Sequence, residues 1–131
     1  MKEVSFVCIQ PSDRRASEPT TPGTRYWRIC DEQTPTDSLF VGIVEVPAGG
    51  TRIPLHYHSS VEEFQYILSG TGVVWDAQGN EYPLSPGTCV YCPPQPKNAH
   101  GFKNTGTSPL LILCVFSSVG GKAPEQVVVT D

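Results

Sequence analysis

The sequence predicts an all-β fold, and three observations support this prediction. Thirteen prolines and twelve glycines divide the 131 residues into short segments. No segment keeps a helical period for long, and apolar segments of strand length alternate with turn residues at an even spacing. Strands spaced in this way are typical of a small antiparallel barrel or sandwich. The length fits one hydrophobic core, so we expect residues 1–131 to form a single domain.

The predicted elements follow in order along the chain. A strand at residues 4–9 precedes a segment at 11–24 that is rich in Ser, Thr, Pro and charge, for which we predict a flexible loop. Further strands are predicted at residues 26–30, 39–46, around 56–58, and at 63–68, 73–76, 81–84, 88–92, 102–104, 110–116 and 126–130. Polar or glycine-containing turns at 32–37, 47–50 and 77–80 separate several of them.

All three histidines of the chain belong to one group of potential ligands. His56 and His58 are two residues apart, so on a strand their imidazoles point to the same face. Glu63 follows after a short polar link, and His100 lies further along the chain. Two histidines with this spacing are, on their own, a weak signal for a metal site. Imidazoles with a carboxylate, however, suit Fe, Mn, Co, Ni, Cu or Zn, whereas Ca²⁺ and Mg²⁺ prefer oxygen ligands. The group therefore predicts a transition-metal site.

Strand alternation allows only one of the neighbouring residues Glu62 and Glu63 to face this site. Residues 68–71 resemble a hairpin with a two-residue loop, which places Glu63, Gln65 and Ile67 on one face. In that register Gln65 pairs with Val74, and Phe64 pairs with Trp75. The prediction is a polar face that carries Glu63 and an aromatic face behind it.

The segment from Gly50 to Gly70 resembles the first motif of the cupin family. It has a glycine, five residues, the pair His56 and His58, four residues, Glu63, and six residues before the second glycine. A looser second motif begins at Pro86-Gly87, continues through residues 88–94 and ends in His100 and Asn104, with a longer segment before His100 than is usual. The spacing from Glu63 to Gly70 matches the family's carboxylate position.

The resemblance covers residues 38–117 approximately. It implies a small antiparallel cupin-type barrel, a double-stranded β-helix or jelly roll, with an N-terminal strand and loop at 1–37 and a C-terminal tail at 118–131. It also implies one divalent transition metal, bound by His56, His58, Glu63 and His100. Fe²⁺ is the expected ion, with Mn²⁺, Ni²⁺, Zn²⁺ and Co²⁺ as alternatives.

Four protein ligands leave two neighbouring positions of an octahedral ion open, so a catalytic ion is expected rather than a structural one. Three functions stay open. We favour an Fe(II)-type dioxygenase or other oxidoreductase that acts on a small organic molecule. The alternatives are a non-oxidative isomerase, lyase or cyclase, and a non-catalytic cupin that binds or senses a small ligand. Cupin sulfonium lyases have a tyrosine where this chain has Gln65, which argues against that lyase subtype.

Two residues are candidate catalytic groups. Gln65 shares the inward face with Glu63 and could orient the substrate. Arg52 has the same parity as His56 and His58 and could meet a carboxylate on the substrate, although a solvated loop arginine is the competing interpretation. The aromatic residues Tyr57, Tyr66 and Trp75 lie on the opposite face, and we interpret them as packing residues. Asn104 is interpreted as a structural residue of the second motif.

The composition limits which partners and which cellular location we expect. The formal net charge is -4 and the basic residues are scattered, so we expect no nucleic acid partner. Apolar segments are far shorter than a membrane span, and the first residues lack the features of a secretory signal, so no membrane partner and a cytoplasmic location are expected.

The cysteines and the chain ends give two further predictions. Five cysteines are an odd number, which favours reduced thiols in the core; Cys89 and Cys92 point to opposite faces of a strand and so do not share a zinc ion. The remaining thiols, Cys8, Cys30 and Cys114, are also expected in the core. The terminal strands at 4–9 and 126–130 are predicted to pair across a two-fold axis in a homodimer.

Overall fold

The computed structural model describes residues 6–29 and 36–129, and the regular structure in these ranges is almost entirely β-strand. The strands are β1 Ala16–Ser17, β2 Arg25–Arg28, β3 Leu39–Val46, β4 Arg52–Tyr57, β5 Glu63–Ser69, β6 Gly72–Asp76, β7 Glu81–Leu84, β8 Cys89–Cys92, β9 His100–Asn104, β10 Leu110–Ser117 and β11 Val127–Val128. Two short 3₁₀ turns occupy Pro11–Asp13 and Pro96–Asn98. In the described ranges no helix has the length and apolar character needed to cross a membrane. The all-β prediction is confirmed.

The strands form two antiparallel sheets. The first sheet has the order β1-β2-β3-β10-β5-β8, and the second has the order β11-β4-β9-β6-β7. The inward side chains of both sheets form one core, because strands such as β10 alternate between buried and half-buried positions along their whole length. The core consists of Phe40, Val46, Ile53, Ile67, Val74, Leu84, Phe102, Leu110, Ile112, Cys114 and Phe116. This antiparallel arrangement agrees with the predicted double-stranded β-helix, although the two sheets are not closed into a barrel within the described residues.

The predicted hairpin at residues 68–71 is wrong. β5 belongs to the first sheet and β6 to the second, so the chain crosses between the sheets at this point. Gly70 makes the crossing with φ 88°, and a Cβ at this position would lie 2.5 Å from the carbonyl oxygen of Pro109. Only glycine accommodates both the positive φ and this close approach.

The cross-strand partners predicted from the hairpin are therefore wrong as well. Gln65 pairs with Cys114 on β10 and with Val90 on β8 rather than with Val74. Phe64 lies between residues of the same two strands, and Trp75 is in the other sheet. The predicted common face of Glu63, Gln65 and Ile67 is nevertheless correct, because all three residues are buried and their neighbours on β5 are exposed.

Both chain ends differ from their predictions. Residues 6–9 form no strand, and residues 4 and 5 lie outside the described ranges. Part of the predicted flexible loop is ordered, because β1 pairs with β2 and the Oγ1 hydroxyl of Thr24 donates a hydrogen bond of 2.6 Å to the carbonyl of Thr21. At the other end, β11 pairs with β4 of the same chain, so pairing of terminal strands across a two-fold axis gains no support.

The cysteines divide between core and surface. Cys92 and Cys114 are buried, as predicted, whereas Cys8 and Cys89 are exposed and the prediction is wrong for them. Cys89 is exposed because β8 is an edge strand and this residue faces outward while Cys92 faces the core. Cys30 lies outside the described residues.

Candidate metal centre

Four buried side chains meet at one end of the space between the sheets. His56 lies near the end of β4, Glu63 begins β5, His100 begins β9, and His58 follows β4 directly. One potential ligand atom from each of these residues lies within 4.8 Å of all the others. Donor atoms that each bind one ion at about 2.1 Å lie up to about 4.2 Å apart. The group could therefore hold an ion after a contraction of a few tenths of an ångström.

The strand pairing explains why these residues meet. His56 on β4 is directly opposite His100 on β9, and their ring centroids lie 4.4 Å apart. His58 continues the same face two residues later, with its ring centroid 5.4 Å from that of His56. Glu63 reaches the group from the other sheet, so the centre bridges the two sheets.

Each of the three imidazoles is oriented by a backbone carbonyl. The Nδ1 atoms of His56 and His58 lie 2.8 Å from the carbonyl oxygens of Pro54 and Glu125. The Nδ1 atom of His100 lies 3.1 Å from the carbonyl oxygen of Asn98. A carbonyl only accepts, so each Nδ1 carries the hydrogen and each neutral ring keeps its lone pair on Nε2. Outer hydrogen bonds of this kind are typical of histidines that ligate metals.

The Nε2 atoms converge on one carboxylate oxygen. Oε1 of Glu63 lies 3.3 Å from Nε2 of His58 and 3.2 Å from Nε2 of His100. If both rings are neutral, three electron pairs face one another without a hydrogen between them. Nε2 of His58 is buried and has no hydrogen-bond partner. This arrangement requires a cation or a protonated ring, and a divalent metal fits the donor set.

Electrostatics favours the ligating forms of two of these groups. Burial, together with the nearby His100, lowers the pKa of His56 to about 4. Burial alone would raise the pKa of Glu63, but the adjacent imidazoles of His100 and His58 favour its carboxylate form more strongly and lower this pKa to about 2. Burial acts to lower the pKa of His58, yet Glu63 raises it above the ordinary value. Near neutral pH the centre thus offers a carboxylate and at least one neutral imidazole.

The segment before His100 is longer than expected, and the structure gives it a role. The 3₁₀ turn at Pro96–Asn98 supplies the carbonyl that orients His100. Gln95 precedes this turn with a φ of 95°, and its backbone N–H donates a hydrogen bond of 3.1 Å to the carbonyl of His58. The same short segment therefore supports two of the four candidate ligands.

A cavity of about 310 Å³ opens onto the centre. Three of the four candidate ligands and Gln65 line it together with apolar and hydroxyl side chains. The other lining residues are Ser17, Glu18, Thr20, Thr21, Thr24, Tyr26, Arg28, Phe40, Val44, Ile53, Phe102, Ile112, Cys114, Phe116, Ala123, Pro124 and Gln126. Gln65 is 2% exposed and lies where the sequence places it, beside Glu63 on the inward face of β5.

Arg52 does not reach the centre. It is exposed, and its guanidinium carbon lies 5.5 Å from the ring centroid of Trp75. Arg52 does not share the inward face with His56, because a register shift between Ile53 and His56 changes the alternation and Ile53 faces the core instead. Trp75 thus packs under an arginine, while Tyr66 is exposed rather than packed.

Asn104 is structural, as its interpretation from the sequence suggests. Its Nδ2 amide donates hydrogen bonds of 2.8 Å to the carbonyl of Val46 and of 2.9 Å to that of Ser108. Its Oδ1 accepts the backbone N–H of Gly106 at 2.8 Å. These three bonds hold the loop after β9 against β3.

Several cavity residues escape prediction from the sequence. The segment at residues 17–24 has the composition of a flexible loop but forms one wall. Arg28 also lines the cavity, and its two-residue spacing from Tyr26 is the signal that would select both for one face of β2. The C-terminal tail also lines the cavity, through residues 123, 124 and 126.

Comparison with known proteins gives matches over most of the chain. A family model described as Cupin domain matches residues 42–116. An uncharacterized protein from Methanocaldococcus jannaschii is 38% identical over 77 residues, which cover 59% of this chain and 57% of that relative. The chain thus spans less than two thirds of the length of this relative.

Solved structures share the fold. A sugar phosphate isomerase of the cupin superfamily, from Silicibacter pomeroyi, is 25% identical to this chain. Its TM-score is 0.73, and the match covers 86% of this chain and 76% of that one. The polyketide cyclase RemF from Streptomyces resistomycificus is 22% identical, with a TM-score of 0.78 over 96% of this chain and 87% of that one.

Proposed function

Because this chain belongs to the cupin domain family, we propose that it is a metal-dependent enzyme that acts on a small organic molecule. One observation carries the proposal: the lone pair of His58 Nε2 is buried without a hydrogen-bond partner, among donors that lie within 4.8 Å of one another. The centre also opens onto a cavity of about 310 Å³, within the range of small-molecule sites. A structural metal site would instead be closed by protein ligands.

The ligands in this proposal are His56, His58, Glu63 and His100. A divalent transition ion would supply a Lewis acid that polarises a carbonyl or enolate oxygen of the substrate. Fe²⁺ remains the expected ion, with Mn²⁺, Ni²⁺, Zn²⁺ and Co²⁺ as alternatives. Gln65 supports the proposal as a positioning group, because its buried amide lines the cavity on the same strand as Glu63.

Non-oxidative chemistry has the better support. The sugar phosphate isomerase that shares the fold carries the name of a reaction without net oxidation. The Fe(II) dioxygenase favoured by the sequence remains a second candidate. It is supported by the donor set, since four protein ligands leave room for both a substrate and dioxygen on a six-coordinate ion.

Turnover with and without oxygen tests this choice. Metal-loaded protein would be incubated with a panel of keto acids, diketones and sugar phosphates under argon and under air, with an oxygen electrode recording uptake. We expect conversion under argon and no substrate-dependent oxygen uptake. Conversion that requires air would replace the isomerase or cyclase with the dioxygenase. Tight binding without conversion in either atmosphere would favour a binding or sensor protein.

We also propose that the chain forms a homodimer, through the outer face of the first sheet rather than through the terminal strands. Four apolar side chains on β5 and β8 are strongly exposed there: Phe64 at 50%, Tyr66 at 43%, Leu68 at 41% and Tyr91 at 53%. Phe64 and Tyr91 lie side by side with ring centroids 6.1 Å apart. The outward positions of these strands and of β10 carry no charged residue.

The size of this face supports a second copy as its occupant. An aromatic side chain buries about 150–250 Å² when it is fully covered, so three half-exposed rings and Leu68 offer on the order of 400 Å². The half-buried Leu111, Leu113 and Val115 of β10 extend the same face. A standard interface buries about 800 Å² on each partner. A two-fold axis through the face would pair it with itself.

A further inference from the structure

The side chain of Gln65 is buried beside the candidate metal centre. Gln65 is 2% exposed and lines the cavity. Its Oε1 has the thiol of Cys92 as a neighbour, with Sγ at 4.0 Å. Its Nε2 has no hydrogen-bond partner among the residues that the structure describes. A buried amide without partners is costly, so these two N–H groups are donors for a molecule in the cavity.

The position of Gln65 brings this donor close to a molecule that is bound at the centre. Glu63 and Gln65 are consecutive inward residues of β5. Their side chains extend roughly in parallel and are about 6.6 Å apart along the strand. An oxygen that accepts from Nε2 at about 2.9 Å therefore lies about 4 Å from the Glu63 carboxylate. A small molecule with one oxygen at the centre can thus present a second oxygen, on the neighbouring carbon, to Gln65.

Other polar side chains line the same cavity. Gln126 follows Glu125, whose carbonyl orients His58, so a second amide-bearing side chain lies one residue from this contact. The hydroxyl-bearing residues Tyr26 and Thr21 line the cavity on β2 and on the segment before it. A ligand with several oxygen atoms therefore meets polar groups on more than one wall.

We infer that the substrate is a carbonyl compound with a second oxygen on the carbon next to its carbonyl group, such as a hydroxy ketone or a keto acid. The carbonyl oxygen reaches the centre, and the second oxygen accepts a hydrogen bond from Nε2 of Gln65. Gln65 selects for this oxygen, because an analogue with a methyl group in its place leaves the buried amide without a partner. The inference rests on the proposed metal-dependent function.

Calorimetric titration of Zn²⁺-loaded protein with two hydroxamates tests the inference. A hydroxamate binds Zn²⁺ through its own oxygens, and glycolohydroxamate has a hydroxyl where propionohydroxamate, of similar size, has a methyl group. We expect glycolohydroxamate to bind about tenfold more tightly, the effect of one hydrogen bond to a buried group. Equal affinities, or tighter binding of propionohydroxamate, overturn the inference.

A substitution of Gln65 tests its assignment. Gln65→Met should remove the preference for glycolohydroxamate, because methionine keeps an unbranched side chain of similar length and lacks the amide. The affinities for propionohydroxamate and for Zn²⁺ should stay unchanged. Gln78→Met is the matched control, since Gln78 is exposed in the turn after β6 and does not line the cavity. A preference that survives in Gln65→Met overturns the assignment.

A second pair of probes tests the direction of the hydrogen bond. Methoxyacetohydroxamate has an ether oxygen, which only accepts, where butyrohydroxamate has a methylene group. We expect the ether to bind more tightly than the alkyl probe in the wild type and equally in Gln65→Met. A preference for the hydroxyl probe without one for the ether probe overturns the donor role of Nε2.

The outcomes distinguish this inference from the function on which it rests. Equal binding of glycolohydroxamate and propionohydroxamate would retain an open metal centre and remove the substrate class. Binding of neither probe at millimolar concentration, or a protein that holds no Zn²⁺, would remove both, because the centre then has no position for a substrate.

Discussion

The Nδ1 atom of His58 lies 2.8 Å from the carbonyl oxygen of Glu125, which is 67 residues further along the chain. The tail around Glu125 is held by β11, where Val127 pairs with Tyr57 and Val128 pairs with His56. The backbone N–H of Val129 also donates to the carbonyl of Leu55 at 2.9 Å. The C-terminal tail thus orients one candidate ligand and lines the cavity through neighbouring residues.

Truncation after Pro124 is expected to weaken metal binding by about 10- to 100-fold, because the truncated protein lacks the carbonyl that fixes the His58 ring. Competition with a fluorescent chelator measures the affinity. Truncation after Val129 is the control, since it leaves Glu125 and β11 in place. Equal affinities of the two truncated proteins would contradict the orienting role of the tail.

Substitution of the ligands should separate metal binding from folding. His56→Ala and His100→Ala are expected to remove most of the bound metal and to leave the β-sheet circular dichroism spectrum unchanged, because the apolar core lies largely outside the centre. Elemental analysis of the purified variants measures the metal. Gln65→Ala is the matched control: it lies on the same inward face but should keep the metal and lose turnover. Full occupancy in both histidine variants would refute the ligand assignment.

The metal-free protein is expected to lose stability as the pH falls from about 6.5 to about 4. The pKa of His56 is lowered from 6.5 to about 4 by burial and by His100, so in this window the unfolded chain binds a proton that the native state excludes. The full shift corresponds to a free energy of unfolding on the order of 3 kcal/mol. Below pH 4.5 the lowered pKa of Glu63 adds a further loss.

Urea unfolding in the presence of a chelator, at several pH values between 7 and 4, measures this effect. His56→Gln should flatten the dependence within the window, because the group that excludes the proton is absent. Parallel curves for the two proteins would show that His56 is not the group responsible.

The sequence could predict the features that depend on local alternation. The two-residue spacing of His56 and His58 places them on one face whatever the rest of the fold, and the same holds for Glu63 and Gln65. The bounds of β3 and β7 also agree with the sequence, because turn residues stand at both ends of each strand.

Features that depend on distant contacts could not be predicted. The path after Ser69 leads to the other sheet because Gly70 packs against Pro109 and Leu110, and no local pattern distinguishes this crossing from a hairpin. The predicted inward position of Arg52 is wrong because β4 has a register shift, which the residue types of this strand do not indicate. The segment at residues 17–24 has the same residue types whether it is mobile or forms a cavity wall.

A charge placed on the outer face of the first sheet should disrupt the proposed dimer. Tyr66→Lys is expected to shift the protein from dimer to monomer, because two lysines related by the two-fold axis would be buried against each other and against Phe64. Sedimentation velocity at micromolar concentration measures the mass. Tyr82→Lys is the control, since Tyr82 is similarly exposed, at 50%, but lies on β7 in the second sheet. A wild-type protein that is monomeric under these conditions, or a Tyr66→Lys protein that remains dimeric, would rule out this face as the interface.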